Sequence, residues 1–210
     1  MWAVPVLAAI VLHEVAHGWA AYRLGDPTAA RMGRLTLNPL SHIDPFGTVA
    51  LPALLLAIQS PFLFGYAKPV PINYTNLRNP KRDMIWVALA GPATNFALAI
   101  VSAMLFKSVL GLQFPADGAA ASMLVPLVAP IMMMLRNSVL VNVVLGVFNA
   151  LPILPLDGGR VLTGLLPRRQ AVAFARLEPF GMMIVLVLLA TNALGQFVGP
   201  IVDVFLRVLL

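Results

Sequence analysis

Five long apolar segments, at residues 2–22, 46–66, 84–112, 119–154 and 181–210, leave this chain few folds to choose from. Crossing about 30 Å of hydrocarbon takes about 20 apolar residues in an α-helix. Inside lipid each peptide group must find its partner within the protein, which a helix does on its own. The segments are rich in Leu, Val and Ala, with Pro and Gly scattered through them as bilayer helices tolerate. Composition agrees: 60% of the 210 residues are hydrophobic and 10% are charged, where soluble domains carry about 25% charge. The expected fold is an all-α polytopic membrane protein with about four to six membrane helices. One domain, 1–210, is expected: a helix over 2–24, a loop with a re-entrant or crossing segment over 25–83, a helix over 84–112, a helix and turn over 119–160, and C-terminal segments over 161–210.

The opening "MWAVPVLAAIVL" superficially resembles a secretory signal, but it has no basic n-region and runs straight into His13 and Glu14, so it reads as retained helix. The chain has no cysteine, which excludes disulfides, thiolate metal sites and cysteine nucleophiles. Its net charge of +6 does not point to nucleic acid, because the Lys and Arg residues are spread over loops between apolar spans. The expected partner is the lipid bilayer.

Positive charge also orders the loops, since cytoplasmic loops carry an excess of Lys and Arg. If every segment crosses once, Arg23, Arg31, Arg34, Lys107 and Arg207 oppose eight other basic residues, a poor bias. If segment 46–66 dips in and returns on the same side, eleven basic residues oppose Lys107 and Arg207, with Arg136 inside a span and left out of both counts. Pro52 and Pro61 interrupt that segment and Gly47 and Gly65 bracket it, which suits a bent re-entrant excursion. A plain crossing is the alternative. The re-entrant arrangement is expected, in a multi-pass protein of the cell membrane with its chemistry toward the cytoplasmic side. In the last segment, Gly195, Gly199 and Pro200 either end a crossing and leave "IVDVFLRVLL" as an interfacial helix or lie within one.

The first segment contains "HEVAH", with His13 and His17 one helical turn apart on one face and Glu14 beside them. Two imidazoles at this spacing can share one Zn²⁺ at about 2.0–2.1 Å, with the carboxylate placed as general base. The plain alternative is a pair of core histidines hydrogen-bonded to neighbouring helices. Three ionisable groups at bilayer depth are costly, about 2.5–3.5 kcal/mol for an Asp on insertion scales, and a dication removes the conflict. A catalytic site of this kind needs a third protein ligand. His42 and the carboxylates Asp26, Asp44, Asp83, Asp117, Asp157, Glu178 and Asp203 are the candidates. Asp26, Asp83 and Asp117 read as solvated loop residues. Asp157 instead ends the run "VNVVLGVFNALPILPLDGGR", where Pro152 and Pro155 break the helix and Gly158 and Gly159 free the backbone to turn. In the re-entrant topology His17 and Asp157 reach the same depth; with single crossings they do not.

These residues resemble the site-2 protease family of intramembrane zinc metalloproteases, through "HEVAH" and "FNALPILPLDGGR". "GDPTAARMGRLTLNPLSHIDPFG", "GYAKPVPIN" and "LAGPATN" are similar to its compact bacterial and archaeal branch, which carries no appended regulatory domain. The resemblance implies His13, His17 and Asp157 as ligands of one Zn²⁺ and Glu14 as catalytic base. It also implies cleavage of a peptide bond in or near a transmembrane helix of another membrane protein, as in regulated intramembrane proteolysis.

Such a substrate must unwind to expose its carbonyls, so short β or extended elements near the site are expected, with "GRLTLNPL" or "KPVPIN" offering an edge to it. Asn149 could hold substrate backbone or an oxyanion, and Asn95 could do likewise or cap a broken helix. For both, helix-to-helix glue is the alternative, and the roles of Asn142 and Arg136 are open. Gly91 and Pro92 read as a close helix approach or a kink, and His42 as an ordinary loop residue rather than a plug in the open metal position. Two other functions compete. A catalytically silent relative would have no need of Glu14, and a metal transporter would need more polar pathway and an internal repeat than this sequence offers.

Overall fold

The computed structural model describes residues 1–60, 65–111 and 119–210, with the backbone alone for 119–125. Pro61 and Asp117 lie outside the described residues. The helices are α1 (Ala3–Leu24), α2 (Thr28–Arg31), α3 (Leu51–Ala57), α4 (Pro80–Leu110), α5 (Ala119–Asn149), α6 (Asp157–Leu165), α7 (Arg168–Ala175), α8 (Glu178–Ala190) and α9 (Ala193–Leu209). Among the described residues no strand forms, so the segments around "TLNPL" and "KPVPIN" are irregular chain without a ladder. The protein is an all-α polytopic membrane protein: α1 and α4, with α5 from Pro126 onward, are long and apolar enough to cross, and α7 with α8, bent by 63°, makes a possible fourth span.

Polar contacts fix the directions of the three long helices. The Arg78 N–H donates to Leu24 O at 3.0 Å, and the Asn95 amide donates to Ala9 O at 3.3 Å, so α4 runs antiparallel to α1. Asn95 to Asn142 at 2.9 Å and Ser102 to Ser138 at 2.8 Å set α4 antiparallel to α5 as well. α1 and α5 are therefore parallel, and Asn137 accordingly reaches Met1 O at 3.4 Å. Exposed Trp19, Tyr22 and Trp86 ring the end where α1 stops and α4 starts, as aromatic side chains do at a membrane interface.

Because α1 and α4 meet at that end, residues 25–79 leave and return on one side of the bundle. The apolar helix within this excursion, Pro45–Ala57, is about 20 Å long at 1.5 Å per residue, short of the roughly 30 Å a crossing needs. Asp44 caps it by accepting from Phe46 N–H at 3.0 Å and Gly47 N–H at 2.7 Å. The chain comes home beside its starting point: Tyr66 N–H donates to Gly47 O at 3.0 Å, and Thr48 Oγ1 donates to Tyr66 O at 2.9 Å. Pro52 stands inside the Pro45–Ala57 helix, just past the point where its π-helical first part, Pro45–Ala50, gives way to α3.

α1 stops at Gly25, whose φ of 117° lies in the left-handed region that favours glycine. Gly25 N–H bonds to Tyr22 O at 3.2 Å and Asp26 N–H to Ala21 O at 2.9 Å, the paired bonds of a Schellman end. This turn delivers Asp26 into the protein. Asp26 is not solvated: it is 0% exposed and accepts from Asn73 N–H at 2.7 Å, the Asn76 amide at 2.9 Å, Thr28 N–H at 3.1 Å and the Thr28 hydroxyl. Asp83 is buried too and caps α4 by accepting from Asn79 N–H at 2.8 Å.

At the C-terminal end, the fifth apolar segment is two helices, with the reversal at Asn192 in a left-handed conformation. Gly199 and Pro200 do not end a helix; α9 continues through them to Leu209. Val198, Val202, Leu206 and Leu209 pack with Ala99, Ala103, Val139, Val143 and Val147 of α4 and α5.

Burial pushes the Asp26 carboxyl up, but its hydrogen bonds outweigh this and hold it below the ordinary carboxylate range. A depressed folded value means the ionised clamp stabilises fully above the unfolded value and loses its contribution as pH falls through the folded one. Asp26→Ala leaves several buried donors without an acceptor and is expected to cost about 3 kcal/mol, read as a lowered unfolding temperature in detergent. The difference from wild type should shrink in acid.

Candidate metal centre

His13 and His17 project from one face of α1, and Asp157 is the first residue of α6, just past the break that ends α5. Gly158 and Gly159 serve close packing here. Both have ordinary φ, and a Cβ on either would fall 2.2 Å from Ala150 O or 2.6 Å from the Ile153 carbonyl carbon. α6 is thereby pressed onto the 150–153 loop, which aims Asp157 back toward α1.

The three side chains converge. His13 Nε2 and His17 Nε2 are 3.0 Å apart, and each is 3.2 Å from Asp157 Oδ2. Three ligands about one ion at 2.0–2.1 Å in tetrahedral geometry stand about 3.3 Å from one another. Among the described residues this is the only group of three His, Asp or Glu side chains that could hold a metal ion.

The hydrogen bonds behind the rings set which nitrogen each imidazole turns inward. His17 Nδ1 lies 2.7 Å from Val87 O, a backbone carbonyl that can only accept, so Nδ1 carries the proton. His13 Nδ1 lies 2.6 Å from Asn95 Oδ1. The Asn95 amide nitrogen donates to Ala9 O and Asn142 Oδ1, so its oxygen is the atom left for His13. Asn142 in turn donates to Ser138 O at 2.9 Å. Both imidazoles therefore turn Nε2 lone pairs toward each other and toward a carboxylate oxygen. Such a cluster repels itself until a cation or protons occupy its centre, and ligating histidines are held in this way by partners on the other ring nitrogen.

α4 supplies the room. A Cβ at Gly91 would lie 2.2 Å from His17 Nε2 and 2.6 Å from His13 Cε1. The close approach expected of Gly91 and Pro92 is thus, at Gly91, an approach to the His13 and His17 rings themselves.

The centre opens into a cleft of about 470 Å³ that also takes in Glu14, Val70, Tyr74, Asn149, Arg160 and Met182. Glu14 Oε2 accepts from Val70 N–H at 2.8 Å, so the irregular strap of residues 66–73 lies across the cleft. Asn149 lines the cleft, with its amide nitrogen donating to Leu145 O at 3.1 Å. Asn95 does not line it; it is fully buried behind His13. His42 stands apart from the three ligand atoms, with Nε2 2.9 Å from Thr36 O, and Glu178 pairs with Arg160 at 2.8 Å. Of the proposed substrate edge, Val70 N–H, Asn73 N–H and Lys68 O are already engaged within the chain. Sequence reasoning missed the strap's grip on Glu14 and the placing of Arg160 and Tyr74; no local pattern marks them.

A helical membrane bundle holding a His, His, Asp cluster with a carboxylate beside it defines the class of membrane-embedded metallohydrolases. The chain belongs to peptidase family M50, which it matches over residues 1–191. It is 34% identical over 195 residues to YwhC of Bacillus subtilis (strain 168), named a candidate zinc metalloprotease, covering 93% of this chain and 82% of that one. It is 32% identical over 191 residues to Rip2 of Mycolicibacterium smegmatis, named likewise, covering 91% of this chain and 67% of that one. Rip2 of Mycobacterium tuberculosis (strain H37Rv), with the same naming, is 31% identical over 200 residues, covering 95% and 70%. No solved structure matches.

Removing the acceptor behind His13 tests the ring orientation. Asn95→Leu is expected to weaken metal binding by 10–100-fold in chelator competition, the usual effect of losing such a partner. Asn95→Asp, which keeps the acceptor, should retain more of it.

Proposed function

We propose that this chain is an intramembrane zinc endopeptidase that cuts a peptide bond in or near a transmembrane helix of another membrane protein, in the manner of regulated intramembrane proteolysis. The observation that carries the reading is the convergence of His13 Nε2, His17 Nε2 and Asp157 Oδ2 within 3.2 Å beside the Glu14 carboxylate in an open cleft. Membership of peptidase family M50 supports it.

In this reading His13, His17 and Asp157 hold one zinc ion, which when bound polarises the scissile carbonyl and lowers the pKa of water. Glu14 takes the proton from the attacking water and returns it to the departing amine. Val70 N–H fixes one carboxylate oxygen of Glu14 and leaves the other for this work. Asn149, on the cleft wall, is placed to steady substrate backbone or the developing oxyanion, a charge best met by a donor already in position. Asn95 acts behind the site as an orienting partner of His13.

The membrane orientation follows from charge. The last turn of α1, the chain from there into the first turn of α4, and the short helices that follow α5 hold eleven of the basic residues, which supports a cytoplasmic face for the end that carries Trp19 and Trp86 by the positive-inside rule. Segment 46–66 is then a re-entrant excursion, which brings the four chemical residues to one depth with water reaching them through the cleft. A catalytically silent role is disfavoured by a Glu14 already held at the cluster's edge.

Two substitutions separate binding from chemistry. Glu14→Gln is expected to keep zinc and lose cleavage by about 10²–10⁴-fold, the usual worth of a general base. Asp157→Asn is expected to lose zinc affinity as well. Zinc content and cleavage of a transmembrane peptide in detergent check both, and full cleavage by Glu14→Gln would end the mechanism.

A further inference from the structure

Beside the metal cleft, and outside the machinery described so far, the lipid-facing side of α1 carries a second set of cavities. An open groove of about 320 Å³ is lined by Val4, Leu7, Val11 and Leu12 of α1 with Leu37 and Pro39 of the following loop. It adjoins a chamber of about 170 Å³ that shares Leu7, Val11 and Pro39 with it. The chamber's far wall, Tyr66 and Ala67, is shared with the metal cleft. Groove, chamber and cleft thus lie in series from the lipid-exposed flank of α1 toward His13, His17 and Asp157, with Tyr66 and Ala67 as the wall between chamber and cleft.

One side chain of the chamber wall is only half engaged among the described residues. His42 lines the chamber and is only 2% exposed. Its Nε2 donates to Thr36 O, which can only accept, so in the neutral ring Nδ1 bears a lone pair. That atom is buried and has no partner among the described residues. An unsatisfied acceptor in apolar surroundings costs about 1–3 kcal/mol, and the chamber offers almost nothing else polar to relieve it.

We propose that the α1 groove and the His42 chamber form the entry subsite for the substrate segment, and that His42 Nδ1 accepts a hydrogen bond from a backbone N–H of that segment. The complementarity is chemical. A transmembrane helix that unwinds to be cut releases N–H groups with no water to receive them, and the chamber wall holds a buried acceptor that has no donor among the described residues. The apolar groove receives the part still helical, and the chamber receives the unwound part before it reaches the cleft. This proposal rests on the protease reading, since it names where that substrate enters.

The test uses the full chain carrying Glu14→Gln in nanodiscs of phosphatidylcholine and phosphatidylglycerol. Because the chain has no cysteine, Leu37→Cys places a single thiol at the groove. The probe is a Leu/Ala transmembrane peptide of about 25 residues with a central Asn-Pro-Gly break and one cysteine, compared with the same peptide unbroken. With copper–phenanthroline and oxygen added as the two-electron oxidant, the broken peptide is expected to form the disulfide faster. Adding His42→Phe should weaken its binding about tenfold, and His42→Asn, whose Oδ1 mimics Nδ1, should restore most of it. Ala8→Trp, which fills the groove without touching His42, should block cross-linking and keeps the test open if His42→Phe fails to fold. Equal rates for both peptides, or no loss with His42→Phe, would assign the groove to lipid and the chamber to a bound water, and would overturn the proposal. The measurement needs neither zinc nor cleavage. Absence of proteolysis in the parent protein therefore counts against the protease reading alone.

Discussion

Two imidazole lone pairs and a carboxylate oxygen face one another at 3.0–3.2 Å inside an apolar bundle. This arrangement governs the rest of the molecule, because such a cluster repels itself and must be held by something stronger than side-chain preference. Each ring is held from behind, His17 by Val87 O and His13 by Asn95. Asn95 leads on to Asn142 and Ser138, so a ladder of polar contacts runs from the metal-binding face through α4 into α5. In lipid, apolar burial gives helices little reason to prefer one neighbour, and contacts of this kind together with small residues supply the specificity. Gly91 completes the fit by letting the α4 backbone stand where a methyl group would displace His17.

Topology follows from the same contacts. The ladder aligns α1 parallel to α5 with α4 between them in the opposite sense, so residues 25–79 must end where they begin. A 13-residue apolar excursion does this without crossing, tied at its base by Tyr66 and Gly47. The distant Asp157 thereby arrives at the depth of His17 instead of the far surface. Had 46–66 crossed, α4 would run parallel to α1 and the ladder could not form.

Much of this is legible in the sequence for reasons that can be named. Helix length against bilayer thickness marks the spans, the four-residue spacing of His13 and His17 marks a shared face, and the Pro and Gly around Asp157 mark a break. What sequence reasoning misses is long-range or ambiguous. "GDPT" reads equally well as a solvated turn and as the Schellman end that buries Asp26, because the local signals are the same. Asn95 and Asn142 are 47 positions apart and pair only once α4 and α5 are packed. Gly158 and Gly159 suggest freedom to turn, while their backbone is ordinary and their use is contact. Pro200 suggests a helix end, yet packing against α4 and α5 carries α9 through it.

The Glu14 carboxylate depends on chain that lies far from it in sequence. Glu14 is steadied by Val70 N–H, three residues before Asn73, and Asn73 N–H is gripped by Asp26. Asp26 stands where it does because the left-handed Gly25 ends α1 and turns the chain inward. The helix that carries Glu14 therefore also carries, two residues past its own end, the anchor for the strap that positions Glu14. The loop is closed through backbone N–H groups, so its geometry depends on the path of the strap and little on strap side chains. The strap also lines the cleft that Glu14 faces. The carboxylate is thus held by the same segment that bounds the cleft, and displacing the strap to widen it would also loosen Glu14.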